Sequence, residues 1–166
     1  LAGAYCFCEG DEPAVAVLLE LAGAIGAVGV RIEPAAKALY HAAAVTACNY
    51  LVSLMDASHR LAAAAGLDGR TWSKALEPLL QATLDNVRRL GPPAALTGPI
   101  ARGDSGSIRR HAEALADRDE DLRRLYAALG RYTLRLARRK GTLCQQAAGD
   151  IGEILAAMTS TTTTSE

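Results

Sequence analysis

Tyr40 and His41 stand early in an alanine-rich stretch, and Asn49 follows two helical turns later. Imidazole is the side chain whose ordinary titration lies nearest neutrality, which makes His41 the proton-transfer candidate of this segment. A lone histidine on an alanine-rich helix also reads as a satisfied structural residue, so both roles stand. At 100° per residue Asn49 lies about 80° around the helix from His41, so the two can border one cleft without touching. Asparagine is unfavourable inside a helix and needs a packing or polar reason to be there. A second cluster lies between residues 95 and 104, where Thr97, Gly98, Pro99, Arg102, Gly103 and Asp104 follow one another closely. Its glycines permit close backbone approach, Pro99 stiffens the turn, Arg102 offers a bidentate fork and Asp104 a carboxylate. Asp104 is equally well placed to cap the helix that follows, so structural and ligand-facing roles both remain open. His111 lies one to two turns into that helix and can face the same loop.

Other signals argue against particular chemistries. Gly23, Gly26 and Gly29 are spaced GxxGxxG, whereas a phosphate loop needs GxGxxG opening a helix; these glycines close one and read as a helix-to-strand turn. No Walker loop, GxSxG elbow or HExxH occurs. Cys6, Cys8, Cys48 and Cys144 have no second ligand pair at metal spacing, so buried, reduced thiols are expected. Arg123, Arg124, Arg131, Arg135, Arg138 and Arg139 form a basic helix, but an acidic run (Asp117–Asp121) adjoins it and few aromatics interleave. A solvated face is the expected reading, and with a formal net charge of +0 no nucleic-acid partner is expected. No uninterrupted apolar run approaches the ~18 residues that span a bilayer, and no signal-peptide pattern opens the chain. Leu1 leads directly into an apolar segment, so a piece of a longer polypeptide is expected.

The elements that must position these residues change character at Pro34. Before it, an apolar strand over 4–9, a helix capped by Asp11 through about Ala24, and a strand over 28–32 make one βαβ unit. After it the periodicity is helical throughout. Residues 35–65 lack proline and glycine and predict one helix near 45 Å long. Its small residues, Ala42, Ala43, Ala44 and Ala47, place it at the domain centre. Further helices are predicted over about 72–90 with Thr71 as cap and Pro78 as a kink or break, then 107–116 and 120–140. A weak helical segment follows over 144–158, and a disordered Thr/Ser tail over 159–166. The fold class is therefore mainly α: a helical bundle with one long central helix, preceded by a βαβ remnant. The expected domains are 1–34, 35–140, and 141–166 as weak helix and tail.

In order along the chain come FCEGD at 7–11, YHAAAV at 40–45, NYLV at 49–52, Pro78-Leu79-Leu80, Asn86, ALTGPIARGD at 95–104, His111 and Leu125-Tyr126. Together they resemble the Rossmann-like proteins that carry the DUF2520 C-terminal domain, over about residues 4–139. Those proteins are similar to the 6-phosphogluconate, hydroxyisobutyrate and ketopantoate dehydrogenase and reductase group. The resemblance implies an N-terminal Rossmann domain, of which residues 4–33 are the tail, followed by an all-helical lobe with substrate contacts and a dimer interface. It implies NAD(P) bound by the N-terminal domain and no cofactor held by this chain alone. Many such dehydrogenases place a catalytic lysine four residues before the substrate-orienting asparagine. If Asn49 fills the asparagine's role, Val45 stands at the lysine's position, and an aliphatic side chain cannot transfer a proton.

The function expected is a substrate-binding and dimerisation lobe of an NAD(P)-dependent oxidoreductase acting on a small acid, cytoplasmic, and inactive as this chain alone. His41 and Asn49 are its catalytic candidates, and Tyr40, Thr97, Gly98, Arg102, Asp104 and His111 its substrate contacts. The expected partners are the Rossmann domain, a second copy of the chain and a small-molecule substrate, with no metal and no membrane. The alternative is a non-catalytic helical dimerisation or ligand-binding module.

Overall fold

The computed structural model describes residues 1–160 and divides the chain into two compact units, Leu1–Leu61 and Ala62–Glu166. The division falls inside the long helix, whereas the change to all-helical composition falls at Pro34.

In the first unit, β1 (Tyr5–Cys8) and β2 (Val28–Arg31) pair in parallel with Tyr5 opposite Val28 and Cys8 opposite Arg31. Between them runs α1 (Glu12–Ala24), whose Ala14 N–H donates to the Asp11 carboxylate at 2.9 Å. Side chains alternate across a strand. Gly29 lies on the face that meets α1, where an added Cβ would stand 2.6 Å from Leu19 Cδ2 and 3.3 Å from Leu19 Cα. This close approach buries Cys8, Val15 and Ala22. On the opposite face, Tyr5, Phe7 and Val28 remain exposed. The expected helix-to-strand turn is present at Gly26, whose φ is +76°.

A 3-10 turn (Pro34–Ala36) leads into α2 (Lys37–Ala64), the long helix expected from the sequence. None of its residues from Lys37 to Asp56 is buried. Leu39 and Val52 are 76% and 70% exposed, while the Tyr40 ring lies against that of Phe7, centroids 4.2 Å apart, and Lys37 pairs with Glu9. The small residues that suggested close backbone neighbours thus face solvent within this chain. By length and mean composition Pro34–Ala64 also satisfies the requirement for a bilayer-spanning helix, without an uninterrupted apolar run.

In the second unit, α3 (Gly69–Leu90) is capped by Asp68, which accepts from the N–H groups of Arg70 and Thr71 at 3.1 and 3.0 Å. The cap precedes the expected Thr71 by three residues, and the helix continues through Pro78. The segment expected as a loop contains two single turns, α4 (Pro92–Ala95) and α5 (Pro99–Arg102), before α6 (Ser105–Leu115). The arginine-rich α7 (Glu120–Lys140) and α8 (Gln145–Ala157) complete the unit. Its core gathers Ile108, Ala127, Leu134, Ala137, Ile151 and Leu155, and Gly130 lets α8 lie directly on α7: a Cβ there would stand 2.6 Å from Leu155 Cδ2. The weak helical segment of the sequence is therefore a core helix. Ile151 and Leu155 are fully buried, and the amphipathic signal is faint because Ala148 and Gly152 supply contact without hydropathy. Of the tail expected to be disordered, Thr159 donates its hydroxyl to Ala156 O at 3.0 Å, while 161–166 lie outside the described residues.

Candidate functional site

The 95–104 segment folds into a built turn. Gly98, at φ +93° and ψ −178°, holds a conformation open to glycine, and Gly103 closes α5 in the left-handed region at φ +73°. Gly103 also admits α8, since a Cβ there would stand 3.0 Å from Ala147 Cβ and 3.2 Å from Leu143 Cδ1. That glycine serves packing within the lobe. Gly98 is different: nothing lies within 4 Å of where its Cβ would be.

Thr97, Gly98 and Arg102 line one open cleft of about 480 Å³, together with Ala101, Lys140 and Thr142. Its volume is that of a small-molecule site. The Lys140 ammonium donates to Leu96 O at 2.8 Å and to Ala94 O at 3.3 Å, which ties the end of α7 to the turn. Sequence reasoning missed Lys140 and Thr142. A lysine at the end of a helix reads first as a partner of the helix dipole, and an isolated threonine after Gly141 carries no periodic signal.

Asp104 takes the structural role left open for it. It accepts the Ser107 N–H at 2.9 Å and the Ser107 hydroxyl at 2.6 Å, capping α6. The hydroxyl bond, then the backbone bond, hold its carboxyl below the ordinary 3.8, assisted by the charges of Arg110 and Arg102. His111 does not line the cleft. Its Nδ1 is hydrogen-bonded to the Tyr126 hydroxyl at 2.7 Å, with the rings edge to face and centroids 5.9 Å apart. Burial raises the Tyr126 phenol above its ordinary 10.0.

Tyr40, His41 and Asn49 belong to the first unit. All three are exposed on α2, with Tyr40 against Phe7. The expectation of buried cysteines holds for Cys8 alone: Cys6 is half-buried, and Cys48 and Cys144 are exposed free thiols. Cys48 lies on the uncovered length of α2, and Cys144 stands at the N-terminus of α8. Among the described residues no group of three or more His, Cys, Asp or Glu side chains could hold a metal ion. Nor does the β1–α1 turn fit a dinucleotide phosphate. It lacks the glycine triplet, and the Asp11 carboxylate occupies the helix N-terminus where the pyrophosphate would sit. The α7 arginines are partly engaged within the lobe. Arg124 pairs with Glu120, Arg131 reaches Leu155 O and the Thr159 hydroxyl at 3.4 Å, and Arg135 lies over the Tyr132 ring.

A βαβ unit followed by an all-helical lobe, with the ALTGPIARGD turn shaping a polar cleft, defines a class that the family comparison identifies. Residues 4–133 match DUF2520, a domain of unknown function, and the chain belongs to that family. No curated protein and no solved structure matches the chain.

Proposed function

We propose that this chain is the helical substrate-binding and dimerisation lobe of a cytoplasmic NAD(P)-dependent oxidoreductase that acts on a small acid. The observation that carries the reading is the one-sided βαβ unit. Parallel sheets are ordinarily covered on both faces and extended by further parallel strands. Here two strands have α1 on one face and leave Tyr5, Phe7 and Val28 exposed on the other. A Rossmann-type domain N-terminal to this unit would continue the sheet and bring the nucleotide, which the β1–α1 turn is not built to hold. In this reading Arg102 holds the acid's carboxylate in the cleft of the second unit. A second copy of the chain covers the exposed apolar surface of α2.

The test is hydride transfer between NAD(P) and a panel of 2-keto and 2-hydroxy acids by the polypeptide that includes the nucleotide domain. Turnover is expected to fall at least tenfold in Arg102→Ala. Undiminished turnover in that variant would sink the assignment.

One feature favours a second reading, a dimerisation module without catalysis: if Asn49 fills the substrate-orienting asparagine's role, the aliphatic Val45 stands at the lysine's position. That module predicts a dimer by sedimentation and no turnover of any acid, whereas a strictly monomeric species excludes it. Partition of the chain into vesicles would instead assign α2 to a bilayer.

A further inference from the structure

We propose that the cleft beside the Thr97–Arg102 turn is a subsite for a small, doubly charged anion, a phosphate ester or a dicarboxylate. The proposal rests on the substrate-lobe reading above and names the class of substrate that lobe takes. Arg102 and Lys140 supply two positive charges to one concavity of about 480 Å³. Neither forms an ion pair among the described residues. Two like charges facing one cleft repel, and an anion bound between them converts that repulsion into attraction. Asp104 feels the Arg102 charge but forms no ion pair with it among the described residues, and its carboxylate accepts from the Ser107 N–H and hydroxyl.

The donors suit an anion with several oxygens. Lys140 has three N–H bonds, of which two are fixed by Leu96 O and Ala94 O, so the ammonium is held in place with one donor to spare. Arg102 brings a planar fork matched to carboxylate and phosphate geometry. Thr97 and Thr142 line the same cleft, and their hydroxyls have no protein partner among the described residues. The open space at Gly98 lets an anion approach the backbone. Thr97 and Arg102 lie within the DUF2520 match and Lys140 and Thr142 beyond its end at residue 133, so the family segment does not complete this subsite by itself.

Calorimetric titration of the chain at low ionic strength with inorganic phosphate, malonate and acetate tests the subsite. Phosphate or malonate is expected to saturate one site, with acetate at least tenfold weaker. Arg102→Gln is expected to weaken binding about tenfold or more, since a charge-assisted bond is lost and no hydrogen bond of the fold is touched. Lys140→Gln should do the same, and Lys140→Arg, which keeps the charge, should bind more tightly than Lys140→Gln. Preference for phosphate identifies a phosphorylated substrate and preference for malonate a dicarboxylate; either supports the subsite. Absence of saturable binding by both, or unchanged affinity in Arg102→Gln, overturns it. Saturable binding here without hydride transfer by the longer polypeptide would sink the oxidoreductase reading and leave the subsite standing. Turnover of a small acid that Lys140→Gln leaves intact would sink the subsite alone.

Discussion

The two units solve the problem of burial differently. The second encloses a core of its own, with Ile108, Ile151 and Leu155 sealed from solvent between α6, α7 and α8. The first buries little beyond Cys8, Val15, Ala22 and Ala27, while Val17, Leu21, Leu39 and Val52 stay more than half exposed. Apolar burial is the dominant favourable term in folding, so the second unit has a stability source within itself and the first depends on what comes to cover it. The contrast separates scaffold from contact surface. The C-terminal unit shapes a cleft, and the N-terminal unit offers faces to be covered.

Hydrogen exchange sharpens the contrast most. Amides of α7 are expected to exchange about a thousandfold or more slowly than those of residues 37–56 in dilute solution, because helices lacking tertiary cover open locally. Protection of α2 that rises with protein concentration marks cover by a second copy, and slow α2 exchange in the dilute chain breaks the comparison. Next in size is Leu155→Ala, which empties the space beside Gly130. A loss of about 3 kcal/mol is expected, read as a fall in the denaturation midpoint of the second unit. Gly29→Ala presses a methyl group on Leu19 and should cost the first unit about 1–2 kcal/mol, visible as faster exchange in β1 and β2.

Smaller effects follow at the α6 cap. Asp104→Ala lowers the melting temperature at neutral pH, by less than Leu155→Ala. Since the folded carboxyl titrates below its ordinary 3.8, the contribution is present above about that pH and is lost as pH falls through the folded value. The difference between the parent and Asp104→Ala in melting scans should therefore close in strong acid. Smallest is Tyr126→Phe, which removes the bond to His111 but keeps the ring contact; about 0.5–1 kcal/mol is expected from denaturant titration. A loss of several kcal/mol there would make the His111–Tyr126 pair part of the core.

Much of this division was legible in the residues. Short apolar runs, the Asp11 cap and the turn glycines located β1, α1 and β2, and the absence of breakers gave α2 its length. Which side of α2 would be covered was not legible. Small side chains report that neighbours can come close, and leave unsaid whether those neighbours belong to the same chain. In the second unit, α8 was underrated because Ala148 and Gly152 share its packed side with Ile151 and Leu155, and such small residues contribute shape rather than hydropathy. At the cleft, Thr97, Gly98 and Arg102 were visible as one cluster because they are close in sequence. Lys140 joins them across 38 residues or more, through hydrogen bonds to backbone carbonyls that no side-chain pattern encodes.

The seating of α8 against Gly103 and Gly130 has a consequence for where this lobe can be cut. A chain ending at residue 133, the last residue of the family match, would keep the ALTGPIARGD turn but lose the helix wedged beneath it. Residues 134–158 then act as a keystone: they lie outside the recognisable signature, yet they set the pose of its most distinctive loop. Swapping signatures between relatives at that boundary would transplant the letters of the turn and leave its shape behind.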